Sequence, residues 1–294
     1  MQHSALLPAG LCRAKAREWL SEDVPNIDIG GFVVGEKVEK AHLLCKGDGC
    51  LAGVPFAQAV FDELGLEVEW KFAEGTYIDT GAGKNKVICA VVRGKCKDIL
   101  LSERTALNII SRASGVATAS RHAMDIARRE NWHGAVAGTR KTTPGFRCVE
   151  KYALLVGGAA THRQDLSQMV MLKDNHIWSA GSITAAVKKA RSAAGFSMKI
   201  EVECQSVAEA VEAAGAGADV VMLDNFTPET IHAAAAEIKS QCPHVTLEAS
   251  GGISETSMHL YMGPNIDVIS RGGLTHGYAC IDFSLKVQVK VRPQ

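Results

Sequence analysis

Gly138-Thr-Arg-Lys-Thr-Thr-Pro-Gly-Phe-Arg147 is the stretch around which the rest of the sequence is organised. The small apolar residues Ala135–Ala137 come directly before it and predict a short buried strand. The Pro-Gly pair predicts a turn and no helical periodicity fits, so we expect a loop leaving the end of that strand. Arginine grips carboxylates and phosphates with a planar fork, and lysine adds a point charge. Arg140, Lys141 and Arg147 on this loop therefore indicate a ligand with several negative groups.

From Trp132 onward the sequence repeats a short apolar strand, a polar strand end and a helix. Predicted strands cover Ala135–Ala137, Ala153–Val156, Gln168–Leu172, Met198–Val202, Val220–Leu223, Val245–Ala249 and Val268–Ser270, and alanine-rich helices cover Ile183–Ala194, Val207–Ala214 and Pro228–Ser240. This alternation implies a parallel sheet with right-handed crossovers, and about seven such units favour a compact (β/α) barrel. An open sheet of two mononucleotide-binding halves is the alternative, but no Gly-x-Gly-x-x-Gly follows a strand.

The first part of the sequence predicts a mixed α+β domain with an antiparallel sheet. Predicted helices are Leu11–Leu20, Phe56–Leu64 and Leu100–Arg128, the last with Ser102 as N-cap and an interruption at Gly115; strand-like segments are Phe32–Leu44, Leu66–Phe72 and Tyr77–Val92. The tail Ile281–Val291 alternates strongly, as a half-buried strand does, and we expect it to return to the first sheet. The predicted domains are therefore 1–115, joined by 275–294, and a barrel domain of 116–274.

Composition excludes several classes of protein. The 294 residues contain 32 Lys+Arg and 32 Asp+Glu with a pI of about 7.1, which argues against a general nucleic-acid or membrane-surface binder. No apolar run reaches membrane-spanning length, and the N-terminus lacks the features of a signal peptide. The nine cysteines are scattered without a Cys-x-x-Cys pair, so we interpret them as reduced packing residues of a cytoplasmic protein.

Charged residues and glycines recur where the predicted strands end, which is the edge that carries the active site of a parallel barrel. In strand order these ends carry Arg140 and Lys141; Gly157-Gly158, then His162 and Arg163; Lys173; Glu201 and Glu203; Asp224-Asn225; Ser250, Gly251 and Gly252; and Arg271, Gly272 and Gly273. The early cations suit an anionic substrate, and the carboxylates suit Mg²⁺ or a developing cation. The glycines allow backbone N–H groups to approach a phosphate. Transfer of a phosphorylated sugar to an acid fits this set.

Each of these residues also has a structural interpretation. A lone histidine such as His162 is more often a structural residue than one that binds a ligand. The Lys173 side chain could extend into solvent, and Glu201 could form an ion pair with Lys199 or another inward-facing cation. Glycine pairs after strands are commonly plain turns, and spacing alone favours a solvent-facing ion pair for Arg104. Taken together, these structural interpretations are less convincing, because so many charged groups recur at the same edge of the predicted barrel.

The same residues carry a resemblance to a known family. The motifs are Ser102-Glu-Arg-Thr-Ala-Leu-Asn, Gly138-Thr-Arg-Lys-Thr-Thr-Pro-Gly-Phe-Arg, Glu150-Lys-Tyr, Thr161-His-Arg, Met171-Leu-Lys-Asp-Asn-His, Glu201-Val-Glu, Met222-Leu-Asp-Asn-Phe, Glu248-Ala-Ser-Gly-Gly-Ile and Asp267-Val-Ile-Ser. In type and order they resemble the quinolinate phosphoribosyltransferases of de novo NAD synthesis. The resemblance implies an open seven-stranded α/β barrel with an N-terminal mixed α+β sandwich domain. It also implies that quinolinate and phosphoribosyl pyrophosphate give nicotinate mononucleotide, pyrophosphate and CO₂ with Mg²⁺ as cofactor.

The resemblance further implies roles for individual residues and an assembly. Quinolinate would be bound by Arg104 of the neighbouring subunit together with Arg140, Lys141, His162, Arg163 and Lys173. The catalytic residues would be Lys141, Lys173, Glu203 and Asp224, of which Glu203 and Asp224 would contact the ribose and bind Mg²⁺, directly or through water. The 5′-phosphate would be bound by Ser250, Gly251, Gly252, Gly272 and Gly273. A homodimer would be the minimal active unit, with a hexamer (a trimer of dimers) as a larger assembly. Arg271 departs from the family pattern, where a small or apolar residue is more common, and could contact phosphate or point outward.

Three other functions remain open at this stage. A nicotinate phosphoribosyltransferase would act without decarboxylation, although the crowded cations favour an acid with two carboxylates. An aldolase could use Lys173 as a Schiff-base nucleophile. A catalytically silent metabolite-binding scaffold would bind both ligands without turnover.

Overall fold

The computed structural model describes residues 3–8 and 10–288. They form two compact units, one of the described residues up to 121 together with 144–158 and 278–288, and one of residues 122–143 and 159–277. In chain order the helices and strands are α1 Leu11–Asp23, α2 Ile29–Val34, β1 Val38–Cys45, β2 Gly49–Cys50, α3 Val54–Glu63, β3 Glu67–Trp70, β4 Tyr77–Ile78, β5 Val87–Lys95, α4 Cys96–Arg129, β6 Ala135–Gly138, α5 Arg147–Gly157, β7 Val170–Leu172, α6 Asp174–Ala180, α7 Ile183–Ala194, β8 Ile200–Cys204, α8 Val207–Gly215, β9 Val220–Asp224, α9 Pro228–Gln241, β10 Thr246–Ser250, β11 Val268–Arg271, α10 Gly273–His276 and β12 Phe283–Val287. Short 3₁₀ helices cover His3–Leu6 and Met258–Tyr261.

The first unit contains a four-stranded antiparallel sheet in the order β12-β1-β5-β3. The tail enters this sheet because β12 pairs antiparallel with β1, from Ala41 opposite Val287 to Cys45 opposite Phe283. This placement was expected from the alternation of the tail. The last part of the predicted tail strand, 289–291, lies outside the described residues.

Three local predictions in the first unit were wrong. The predicted strand Phe32–Leu44 begins too early: residues 32–34 belong to α2, which the Asp28 carboxylate caps by accepting the Gly31 N–H at 2.9 Å, and β1 begins at Val38. Ser102 is not an N-cap: α4 begins at Cys96, and the Ser102 hydroxyl donates to the Ile99 carbonyl inside the helix. Gly115 does not interrupt α4. A Cβ there would lie 2.4 Å from the Ala279 carbonyl oxygen, so this glycine permits close backbone packing.

The second unit contains a six-stranded parallel sheet in the order β6-β11-β10-β9-β8-β7. A seventh position beyond β6 holds only a single parallel bridge between Ala137 and Ala160. The predicted strand Ala153–Val156 was wrong, because these residues belong to α5, which ends at Gly158 with φ 95°. A short buried apolar run does not distinguish a strand from a helix by periodicity. The other six predicted strands of the barrel are present with shifts of one or two residues at their ends.

The register of the parallel sheet brings several strand ends level. Arg271 lies beside Gly138, and Ser250 lies beside Asp224. Helices α7, α8 and α9 pack against these strands through a core that includes Val187, Ala213 and Ile238. Since parallel strands expose their carboxyl ends at one edge, the loops after them share one site.

Two further observations bear on the class of protein. All nine cysteines lie within the described residues, and none forms a disulfide there. Within the described part of the chain, no helix combines the length and apolar character needed to cross a membrane.

Candidate active site

A cavity of about 690 Å³ opens at the carboxyl edge of the parallel sheet. Of the residues to which the resemblance gives a role, all except Arg104 line it: Arg140, Lys141, His162, Arg163, Lys173, Glu203, Asp224, Ser250, Gly251, Gly252, Gly272 and Gly273. Two other expectations for this edge were wrong, because Glu201 does not line the cavity and Gly157 and Gly158 lie at the end of α5. Arg104 is exposed on α4 and does not line the cavity, and Arg147 begins α5. The structure thus brings residues from six strand ends and the Ala160 segment into one pocket.

One wall of the cavity carries cations without counter-charges. Arg140 Nε is buried and has no hydrogen-bond partner. Arg163 donates from Nη1 to the Met169 carbonyl at 3.4 Å and from Nη2 to the Met171 sulfur at 3.5 Å. Among residues 3–8 and 10–288, neither guanidinium has a carboxylate oxygen within 4 Å. Burial and the neighbouring Arg140 lower the pKa of Arg163, as expected when like charges share a desolvated site.

His162 connects this wall to the interior of the sheet. The backbone N–H of Arg163 donates to its Nδ1 at 2.9 Å, so the ring proton lies on Nε2. Nε2 lies 2.9 Å from Glu248 Oε2, and His162 itself has the left-handed φ of 53°. Both ring nitrogens are therefore engaged, and a direct contact with substrate would require the ring to give up one of these bonds. Glu248, to which sequence reasoning gave no role, holds the ring.

Glu201 is fully buried beneath this pair, and neither carboxyl oxygen has a hydrogen-bond partner. The expected partner Lys199 does not lie within 4 Å; the facing group is His162 Nε2 at 3.6 Å. Burial and the adjacent Glu248 raise the pKa of Glu201 to about 9, so it holds a proton at neutral pH. His162, Glu201 and Glu248 offer ligand atoms within 4.8 Å of one another. Binding of a metal ion to His162 Nε2 would require the ring proton to move to Nδ1, but Nδ1 already accepts the Arg163 N–H. The three side chains are therefore better suited to hydrogen bonding than to metal binding.

The lining of the cavity also carries carboxylates. Lys173 forms an ion pair with Glu203, joining two predicted site residues. Asp224 Oδ2 accepts from the Asn225 side chain at 2.6 Å, and burial, followed by the nearby Glu203, raises the pKa of Asp224. Carboxylate oxygens are the ligands that Mg²⁺ prefers, so Glu203 and Asp224 fit a bound magnesium ion.

The third part of the site is a turn without obstructing side chains. Gly251 and Gly252 have φ of 95° and 63°, a region that other residues rarely adopt. A Cβ on Gly251 would lie 2.3 Å from Asn225 Oδ1, and the Asn225 N–H donates to the Ser250 carbonyl at 3.0 Å. The Ser270 hydroxyl donates to Ser250 Oγ at 3.1 Å. The sequence analysis named Asn225 at its strand end without giving it a role, and it missed Ser270, which lies within the predicted strand Val268–Ser270.

Comparisons with known proteins agree over nearly the whole chain. Residues 28–114 match the family model described as quinolinate phosphoribosyl transferase, N-terminal domain, and residues 116–286 match the C-terminal domain model of the same family. Proteins called nicotinate-nucleotide pyrophosphorylase [carboxylating] are 49% identical in Dictyostelium discoideum and 50% identical in Homo sapiens. The alignments cover 98% and 97% of this chain and 99% and 94% of those proteins. The solved structure of the nicotinate-nucleotide pyrophosphorylase from Francisella tularensis has a TM-score of 0.87 at 32% identity, covering 96% of this chain and 98% of that one.

The His162–Glu248 bond gives a prediction about stability. Glu248→Leu should lower the free energy of unfolding by about 1–3 kcal/mol, because it leaves the buried Nε2–H without an acceptor. Glu248→Gln keeps an acceptor oxygen and should lose less. Urea denaturation measures both, and Glu237→Leu on the exposed face of α9 is the control. Equal stability of the leucine and glutamine variants would contradict this role.

Proposed function

The chain belongs to the quinolinate phosphoribosyltransferase family, and we propose that its cavity transfers phosphoribosyl from phosphoribosyl pyrophosphate to quinolinate. The products are nicotinate mononucleotide, pyrophosphate and CO₂, in a step of de novo NAD biosynthesis. The observation that carries this function is a single cavity whose lining combines unpaired arginines, carboxylates and an open glycine turn. Those three parts suit a dicarboxylic acid, a ribose that develops positive charge, and a phosphate.

Arg140 and Arg163 are the groups that we expect to grip the quinolinate carboxylates. Both lack counter-charges, and a bidentate carboxylate satisfies an arginine fork with two charge-assisted hydrogen bonds. His162 acts through Arg163, whose backbone N–H it accepts. Lys141 and Lys173 add positive charge at the same cavity. The ion pair with Glu203 engages the Lys173 ammonium group, which supports electrostatic binding rather than Schiff-base chemistry.

The reaction follows from charge placement. Pyrophosphate leaves from the ribose, and Glu203 and Asp224 stabilise the oxocarbenium-like carbon that remains. The arginines hold quinolinate so that its ring nitrogen attacks this carbon. The resulting pyridinium accepts the electron pair of the breaking bond to the 2-carboxylate, CO₂ leaves, and a proton takes its place. No protein nucleophile is needed.

The first test supplies phosphoribosyl pyrophosphate and Mg²⁺ with either quinolinate or nicotinate. We expect equal amounts of nucleotide and of labelled CO₂ from carboxyl-labelled quinolinate, and no product from nicotinate.

Arg140→Ala should raise the KM for quinolinate about 10- to 100-fold, because a charge-assisted hydrogen bond contributes about 1.5–3 kcal/mol. Arg128→Ala, an exposed arginine paired with Asp125, is the control. An unchanged quinolinate KM would remove Arg140 from the site.

Glu203 and Asp224 are the residues that would hold Mg²⁺, directly or through water. When bound there, the ion would neutralise charge on the leaving pyrophosphate. Asp224→Asn removes one anionic ligand, so we expect half-maximal activity to need roughly tenfold more free Mg²⁺. Rates measured against free Mg²⁺ test this, with the quinolinate KM as an internal control. A magnesium dependence identical to that of the unaltered protein would exclude Asp224 as a ligand.

We propose a homodimer as the minimal active unit, with Arg104 completing the cavity of the partner. Arg104 is exposed, and among the described residues it has no carboxylate within 4 Å, so the ion pair favoured from spacing is not formed. A larger assembly, such as a hexamer, would be seen in the native mass.

The free cysteines and balanced charge support a cytoplasmic location, which fractionation would test.

Subunit mixing tests the shared site. Arg104→Ala and Lys173→Ala should each abolish most activity alone. Random mixing gives half heterodimers with one intact site of two, so about a quarter of full activity should return if Arg104 acts across the dimer. If Arg104 acted within its own subunit, every site in the mixture would remain defective and no activity would return.

A further inference from the structure

Arg271 is a buried cation at the end of β11. It is only 7% exposed, and its Nε donates to the Ile253 carbonyl at 3.3 Å. Its Nη1 lies 3.5 Å from the sulfur of Met258, which is a weak acceptor. The side chain therefore points beneath the turn that follows β10, not outward into solvent.

The charge on Arg271 is not balanced within the described residues, where no carboxylate oxygen lies within 4 Å of its guanidinium. Glu255 is the carboxylate that acts on it, but Glu255 is half exposed and faces His122 at 4.0 Å. Burial lowers the pKa of Arg271, which shows the same lack of compensation. A desolvated charge is unfavourable unless a counter-charge is near.

The neighbouring groups indicate where that counter-charge comes from. Arg271 borders the cavity together with Gly251, Gly252 and Gly272, the residues assigned to phosphate. A Cβ on Gly272 would lie 2.8 Å from His276 Nε2 and 3.0 Å from Lys141 Cδ, so these side chains converge at the same corner. The Ile253 carbonyl held by Arg271 belongs to the residue directly after the glycine turn.

We propose that Arg271 is a positioning residue for the 5′-phosphate of phosphoribosyl pyrophosphate. Its guanidinium fixes the Gly251–Ile253 turn through the Ile253 carbonyl, and the bound phosphate supplies the missing negative charge. This inference rests on the proposed function, because it names the subsite of the same cavity that takes the sugar phosphate. It also gives a role to the residue that departs from the family pattern.

Arg271→Met and Arg271→Lys test the proposal. Methionine keeps an apolar chain against Met258 but removes the charge and the donors, whereas lysine keeps the charge. Binding of ribose 5-phosphate is measured by calorimetry at several salt concentrations, and KM is measured separately for each substrate. Arg128→Met is the control for loss of one distant exposed charge.

We expect Arg271→Met to weaken ribose 5-phosphate binding and raise the phosphoribosyl pyrophosphate KM about tenfold or more, and to reduce the salt sensitivity of binding. The quinolinate KM should change less than twofold, and Arg271→Lys should recover most of the affinity. Ribose 5-phosphate affinity unchanged in Arg271→Met would overturn the proposal, as would equal losses for both substrates. If Arg271→Met does not fold, Arg271→Gln takes its place: loss of ribose 5-phosphate affinity supports the proposal, and unchanged affinity overturns it.

The calorimetric arm separates this inference from the proposed function. Ribose 5-phosphate binding that depends on Arg271, in a protein that does not turn over quinolinate, would support the phosphate subsite while rejecting the reaction. Turnover of quinolinate with Arg271→Met behaving as the unaltered protein would support the reaction and reject the subsite.

Discussion

Unbalanced positive charge at the carboxyl edge of the parallel sheet is the constraint on which the cavity depends. Arg140 and Arg163 face the same space without a carboxylate within 4 Å among the described residues, and their mutual repulsion disfavours the unliganded state. The strands hold them there because the register is fixed by an apolar core between sheet and helices. A dianionic ligand relieves the repulsion, so part of its affinity is prepared by folding.

The acidic groups beneath this charge do not neutralise it. Burial and the adjacent Glu248 favour the protonated form of Glu201, and Glu248 accepts the Nε2–H of His162. A buried polar network of this kind also favours one loop conformation over others, here the left-handed turn at His162 that places Arg163.

The sequence was most informative where side-chain chemistry and strand ends coincide. The cations after β6 and β7, the carboxylates at the ends of β8 and β9, and the glycines after β10 and β11 lie in one cavity, because parallel strands bring their carboxyl ends to the same edge of the sheet. The failures have a different origin. The residues Ala153–Val156 are all apolar, so their pattern does not distinguish a strand from a helix. In the structure they lie in α5, where nearly all of them are buried. Gly115 was predicted to interrupt the helix because the Ala279 carbonyl, whose close approach requires a glycine there, lies far away in the sequence. The Glu248–His162 bond likewise joins residues 86 positions apart, which spacing does not encode.

The charge distribution also constrains the order of the proposed reaction. Cations that hold a carboxylate stabilise it in the ground state and therefore oppose its loss as neutral CO₂. Decarboxylation needs a stronger electron sink than the arginines provide, and the neutral pyridine ring of quinolinate does not offer one. Transfer of the ribose to the ring nitrogen creates a positive charge adjacent to the carbon that bears the departing carboxylate. In the proposed binding mode, the same step reduces the negative charge of the bound acid from two to one, which would weaken its attraction to Arg140 and Arg163. Phosphoribosyl transfer must therefore come first, and the arginines contribute by orienting the nitrogen toward the ribose rather than by assisting the loss of CO₂.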